Sequence, residues 1–327
     1  MKGGVVIGAI MVFVGGLSIF MFGLNHMRES LIKISSERIK KFIASAAGSK
    51  LKALITGVVI TVFIQSSSGV TAIVVALVSA NLMTMYQGIM VMIGANIGTT
   101  TTAFLFALHI ENYSLIIIFI GFFLNYFNNL KLKHLGEVIT GLGLLFLGIY
   151  IMNSFYANIA ASDKAVYYTM LFSGNRITSF LTGTVISALI QSSSGTINIV
   201  QNLYFINAIN LTSAVSLVLG ANLGTTIASL IVAISSTKEA KTAINVNIVF
   251  NLIGGVIFMI FLRPYCNFLS FLECKTPLIL NKKIMIAYSH LLYNIIATII
   301  FYFSYDRIIS KLVKVFSCNR SKKNNNT

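Results

Sequence analysis

Gln65-Ser66-Ser67-Ser68-Gly69 returns as Gln191-Ser192-Ser193-Ser194-Gly195, 126 positions later. Two further matches hold the same register. Gly94-Ala95-Asn96-Ile97-Gly98-Thr99-Thr100 recurs as Gly220-Ala221-Asn222-Leu223-Gly224-Thr225-Thr226, and Thr56-Gly57 recurs as Thr182-Gly183. Blocks that share one offset mark an internal duplication. Each Gln-Ser-Ser-Ser block follows a strongly apolar run, Val58–Ile64 in the first copy and Val185–Ile190 in the second. Polar groups in such a setting cost free energy unless they are hydrogen-bonded or hold a ligand.

Working outward, the chain has 327 residues, of which 56% are hydrophobic and only 10% charged, with a mean hydropathy of +0.87. That composition belongs to a membrane protein. The net charge of +16 comes from basic residues in loops and the tail, where the positive-inside rule places them, so no nucleic-acid partner is expected. The run Gly4–Leu24 is too long for a signal peptide, and no Ala-x-Ala-like site precedes Asn25-His26-Met27-Arg28. It reads as a retained transmembrane helix. The four His residues are scattered, which argues against zinc. Cys266 and Cys274 flank one loop and are compatible with free thiols or with a disulfide.

A helix needs about 20 residues to cross about 30 Å of hydrocarbon. Segments near 4–25, 85–108, 137–155, 211–234, 244–263 and 284–305 meet or nearly meet that length, and a shorter one lies near 114–130. The stretch 26–52, rich in Lys and Arg around apolar residues, reads as amphipathic and interfacial. Segments 53–80 and 179–206 each hold two short apolar arms about a polar block. They read as re-entrant hairpins, because broken backbone at membrane depth is tolerated only where it is buried in protein or lines a cavity.

One span, a hairpin and two further spans give each repeat an odd number of crossings, which inverts the second repeat. Gly16, Gly23 and Met27 are echoed by Gly141, Gly148 and Met152, and Asn125 by Asn251. The expected fold is therefore all-α and polytopic, with about seven spans in two inverted repeats, each carrying a re-entrant hairpin. Residues 1–136 form the first repeat, 137–263 the second, and 264–318 a loop, final span and basic segment, with 319–327 a disordered tail. An orientation with 26–52 inside places 17 of the 24 basic residues inside, the N-terminus outside and the C-terminus in the cytoplasm, as expected of the cell membrane.

No acidic or basic residue falls in the middle of an expected span. This argues against a carboxylate proton relay and against an Arg or Lys clamp. What remains is neutral: hydroxyls, amides and broken-helix backbone. Their oxygens are hard ligands suited to sodium. The free N–H groups where each second arm begins, near Ser68 and Ser194, suit an oxyanion. A bound sodium ion would offset the cost of burying such an anion, and each ion would stabilise the other. The glycines of both blocks are read chiefly as packing positions. The pairs His290/Asn294 and Asn247/Asn251, each on one helix face, are read as interhelical hydrogen bonding.

With these motifs in hand, the chain resembles the bacterial sodium-dependent phosphate (Na/Pi) cotransporters, relatives of the animal type II cotransporters. The resemblance rests on both Gln-Ser-Ser-Ser blocks, both Gly-Ala-Asn-[Ile/Leu]-Gly-Thr-Thr blocks, Ala240-Lys241…Phe250-Asn251 and His290…Asn294. It implies sodium-driven phosphate transport by alternating access, with no cofactor beyond the coupling sodium ions. It also implies that Gln65, Ser66, Ser67, Ser68, Gln191, Ser192, Ser193 and Ser194 line the phosphate and sodium sites. Asn96, Thr99, Thr100, Asn222, Thr225 and Thr226 complete them. Thr71 fits the family pattern; its counterpart is Ile197, flanked by Thr196 and Asn198, so one hydroxyl ligand moves or is lost in the second copy. The expected partners are phosphate, sodium and the lipid bilayer, with the oligomeric state open. A carrier of another oxyanion and an ion channel stand as alternatives; an enzyme is not expected, since no nucleophile has a His or Asp partner in the spans.

Overall fold

The computed structural model describes residues 2–45, 48–108, 110–127, 129–160, 174–234, 236–275 and 281–318. Among them it forms twelve α-helices and no strand. The first half holds α1 (Lys2–Ser45), α2 (Lys50–Ile64), α3 (Ser67–Ser79), α4 (Met85–Phe106) and α5 (Ser114–Leu124). The second holds α6 (Leu130–Ala160), α7 (Arg176–Ile190), α8 (Ser193–Phe205), α9 (Leu211–Ala233) and α10 (Lys238–Ile260). Then come α11 (Leu262–Lys275) and α12 (Lys282–Cys318). The protein is a multi-pass membrane protein: Gly8–Ile34, Met85–Phe106, Leu130–Tyr156, Lys238–Ile260 and Lys282–Ser304 are long and apolar enough to cross a bilayer.

The two leading helices, α1 and α6, pack antiparallel along their glycines. A Cβ at Gly16 would overlap Met152 and the Gly148 carbonyl, and one at Gly23 would overlap Leu145 and the Gly141 carbonyl. The duplication maps Gly16 onto Gly141 and Gly148 back onto Gly23, so each contact is the image of the other. Two equivalent antiparallel helices that exchange contacts are related by a two-fold axis across their length. For helices that span a bilayer, that axis lies in the membrane plane, and the repeats are inverted.

Within the first repeat, α2 and α4 run parallel at close range. Gly57 abuts Val91, Gly94 abuts Leu54, and Gly98 abuts Val58 and Thr61. This register sets Lys50 and Met85 at one level, and α3 returns there at Ser79, so both ends of α2–α3 lie on one side. The second repeat reproduces the packing, with Gly183 against Leu217, Gly220 against Phe180, and Gly224 against Thr184 and Ser187. Both hairpins are therefore re-entrant.

Several sequence expectations shift. Most of the stretch 26–52 is continuous with the first span: α1 runs unbroken to Ser45, and Phe20, Leu24, Met27 and Ser30 continue one buried face past residue 25. The segment near 114–130 is shorter, an 11-residue helix ending at Leu124 before a turn. Its outer face, with Leu115 and Phe119 both 67% exposed, suits lipid. The second repeat's first helix starts at Leu130, ahead of 137. Cys266 and Cys274 both lie on α11 as free thiols. Two helical turns separate them, about 12 Å of rise, which is beyond disulfide reach. The expected tail 319–327 lies outside the described residues.

Candidate functional site

Each hairpin breaks at its glutamine. Gln65 (φ 57°, ψ 26°) and Gln191 (φ 56°, ψ 27°) take the left-handed conformation that ends a helix. Asn81 and Asn207, also one repeat apart, take it where the hairpins end (φ 59° each). The following serine caps the second arm: Gly69 N donates to Ser66 Oγ (3.1 Å) and Gly195 N to Ser192 Oγ (3.2 Å). The arms thus start at Ser67 and Ser193, one residue before the expected Ser68 and Ser194. One first-turn amide goes to each cap, and the amides of Ser67, Ser68, Ser193 and Ser194 remain as the positive end of each helix.

Both helix starts open on one polar cavity. From the first repeat it takes Ser67, Ser68, Thr71, Asn96 and Thr99; from the second it takes Ser193, Asn222, Thr225 and Thr226. Ser66, Gln191, Ser192 and Ser194 line its continuation between the tips. The space is tight, with room for about one water. Thirteen of the sequence-expected residues are brought together here.

Among the described residues, four expected ligands stand outside that lining. The Gln65 amide is committed to its surroundings: Nε2 donates to Val62 O (2.6 Å), and Oε1 accepts from Thr102 Oγ1 (2.8 Å). It fastens the hairpin to α4. Thr100 donates to Ile97 O and Thr196 to Ser192 O, while Asn198 Oδ1 accepts from Asn202. Ile197, at the position of Thr71, is buried in an apolar cluster.

Three residues not expected as ligands join the lining: Ser229 and Asn247, the latter read from sequence as an interhelical hydrogen-bonding residue, and Arg28. Arg28 lies beyond the expected end of the first span at residue 25, and the longer helix brings a basic side chain to the cavity without placing one in the middle of a span. Arg28 sits in the Gly8–Ile34 span, half-buried, and its Nε donates to Gln65 O (2.7 Å). The guanidinium therefore sits beside both serine tips and supplies the positive charge that neutral ligands lack. Its repeat counterpart, Asn153, instead donates to Glu111 Oε1 (3.3 Å), and Glu111 pairs with the buried Lys283 (3.8 Å).

The two asparagines of the repeated Gly-Ala-Asn blocks differ. Asn222 is held from α12: its Oδ1 accepts from His290 Nε2 (2.9 Å), and its Nδ2 donates to Asn294 Oδ1 (3.2 Å). The expected interhelical role of His290 and Asn294 is thus observed. Asn96 has no such clamp, and its buried Nδ2 has no hydrogen-bond partner among the described residues. The cavity consequently offers helix-end amides, one guanidinium and a free amide donor to an anion, with hydroxyl and carbonyl oxygens for a cation.

Repeats whose broken helices meet at a polar cavity inside a membrane bundle are an arrangement found in transporters. The profile of the Na+/Pi-cotransporter family matches residues 19–154 and 158–270, so the chain belongs to that family, one of transporters rather than enzymes. It is 28% identical over 282 residues to YqeW of Bacillus subtilis, an uncharacterized protein, covering 86% of this chain and 90% of YqeW. It is 23% identical over 286 residues to YjbB of Escherichia coli K12, whose name assigns it provisionally to inorganic phosphate export. That match covers 87% of this chain but 51% of YjbB, so the chain spans about half the length of that relative. A 104-residue stretch is 34% identical to human sodium-dependent phosphate transport protein 2B, covering 31% of this chain and 15% of the human protein. No solved structure matches.

Proposed function

We propose that the protein carries inorganic phosphate across the cell membrane by alternating access, coupled to sodium. The observation that carries this reading is the convergence of two helix N-termini and Arg28 on one hydroxyl-lined cavity. Helix-end amides and a guanidinium are the donors that a tetrahedral oxyanion needs. The tightness of the cavity supports alternating access, since a phosphate ion enters only if one hairpin withdraws. Two opposed hairpins provide one such gate on each face.

Arg28 changes the electrostatic balance inferred from sequence. One positive charge is fixed in the protein, so sodium has to offset only the remaining charge of a phosphate dianion. The names of relatives point to both sodium-dependent phosphate transport and phosphate export. A carrier runs in whichever direction its combined gradients favour, so one site serves both. The positive-inside distribution of charge supports a cytoplasmic C-terminus.

Exchange in proteoliposomes tests the carrier reading. Unlabelled phosphate inside should accelerate entry of labelled phosphate, because the loaded site returns faster than the empty one. A flux that is indifferent to internal phosphate and grows without saturation would indicate a channel. Sulfate or arsenate displacing phosphate at equal concentration would reassign the substrate.

A further inference from the structure

Beside the phosphate cavity, α10 carries two buried asparagines one turn apart, Asn247 (3% exposed) and Asn251 (0%). They were expected to bond across to a neighbouring helix. Instead, Asn251 Nδ2 donates within its own helix to Asn247 O (3.0 Å), and the side-chain carbonyl of each residue is buried without a hydrogen-bond donor among the described residues. Buried amide oxygens normally find a partner, and two in consecutive turns of one face call for a ligand. The ligand has to be electron-poor, since both free atoms are acceptors.

The neighbourhood narrows the choice. Asn247 lines the cavity together with Asn222, Thr226 and Ser229 of α9, so the pair adjoins the proposed anion site. Across from it, the Asn222 carbonyl is already taken by His290. The Tyr293 hydroxyl of α12 reaches over Gly254, where a Cβ would lie 3.2 Å from it. Asn247, Asn251 and Gly254 follow one another along one face of α10, so the Tyr293 hydroxyl lies one turn beyond the asparagine pair, and the cavity that Asn247 lines has no carboxylate among its lining residues. Calcium and magnesium are held by carboxylates, whereas a few neutral oxygens at short range suit a small monovalent cation. The duplication repeats the feature only in part: the counterpart of Asn247 is Gly121, while that of Asn251 is Asn125, whose side-chain carbonyl is likewise buried without a donor among the described residues.

We propose that Asn247 and Asn251 hold one sodium ion between α9, α10 and α12, with the Tyr293 hydroxyl as a third oxygen, on the second-repeat side of the phosphate cavity. The assignment rests on the sodium-coupled reading and locates one coupling ion within it. A cation there would sit against the same cavity wall as the anion, so each would stabilise the other.

The test uses the full-length purified protein and two variants, Asn251→Leu and Asn251→Asp. Thermal stability is measured in sodium chloride against potassium chloride at equal ionic strength without phosphate, and sodium activation of labelled phosphate uptake is measured in proteoliposomes. Sodium, but not potassium, should raise the wild-type melting temperature. Asn251→Leu should abolish that rise and increase the sodium concentration for half-activation about tenfold, the loss of one good ligand. Asn251→Asp should shift half-activation the other way, which a merely structural asparagine would not do; it also carries the test if the Leu variant does not fold. A wild type that is not stabilised by sodium, or variants with unchanged sodium responses, would overturn the site. Uptake that needs sodium while both variants behave as wild type removes the site and keeps the coupled reading. Sodium stabilisation that depends on Asn251, with uptake independent of sodium, keeps the site and removes the coupling.

Discussion

Arg28 and Gln65 meet through one hydrogen bond, yet their expected roles differ. Arg28 faces the tips of both hairpins, so Arg28→Gln should weaken apparent phosphate affinity about 10- to 100-fold, the loss of a charge-assisted contact. Arg28→Lys should recover part of it, because a lysine keeps the charge but not the planar fork. Uptake KM for the two variants measures this, and unchanged values would remove Arg28 from the site. Gln65→Leu should instead lower thermal stability by about 1–3 kcal/mol, since it leaves the Thr102 hydroxyl unpaired and frees the hairpin from α4. Gln191→Leu, at the counterpart that lines the cavity, should act on transport more than on stability. The duplicated glutamines look alike in sequence. Their separation into a fastener and a wall residue depends on Thr102, whose counterpart is Ala228, and only the packed structure ties that hydroxyl to Gln65. Arg28 was hidden for a different reason. Asn25, His26, Arg28 and Glu29 end the hydropathy signal, although Phe20, Leu24 and Met27 carry the buried face of α1 past them.

At the scale of elements, the hairpins are held by glycine contacts that leave no room for a side chain. A Cβ at Gly94 or Gly220 would overlap the carbonyl of Leu54 or Phe180. Gly94→Ala and Gly220→Ala should each cost about 1–3 kcal/mol or more of stability, because backbone on both sides must separate. Gly15→Ala, with nothing within 4 Å of the added carbon, should cost nothing, and melting temperatures of the three variants check this. The helix-break-helix pattern, a break inside each Gln-Ser-Ser-Ser block and the glycine packing were legible in the duplicated motif. The length of α1 and the shortness of α5 were not. Hydropathy marks where a chain can contact lipid, whereas a helix ends where its backbone hydrogen bonding ends.

For the whole molecule, inversion makes a prediction about sides. Cysteines placed at Lys50 and Leu82, at the two ends of the first hairpin, should react with a membrane-impermeant thiol reagent from one face only. Cysteines at Gly174 and Phe205, at the ends of the second, should react from the other face only. Labelling of all four from the same face would exclude inverted repeats. That architecture was readable from the odd number of crossings per repeat together with the matched offset. The meeting of Asn222 with His290 and Asn294 was not, since nothing in a sequence states which distant helix a buried amide will face.

Sodium-driven passage of phosphate through this cavity is the proposal on which the roles of Arg28, Asn247 and Asn251 depend. The most direct measurement is accumulation of radiolabelled phosphate in proteoliposomes under an inward sodium gradient, compared with an equal potassium gradient. Phosphate should accumulate transiently above equilibrium with sodium alone, and less so in Arg28→Gln. Equal uptake under both gradients, or none from folded and correctly inserted protein, would contradict it.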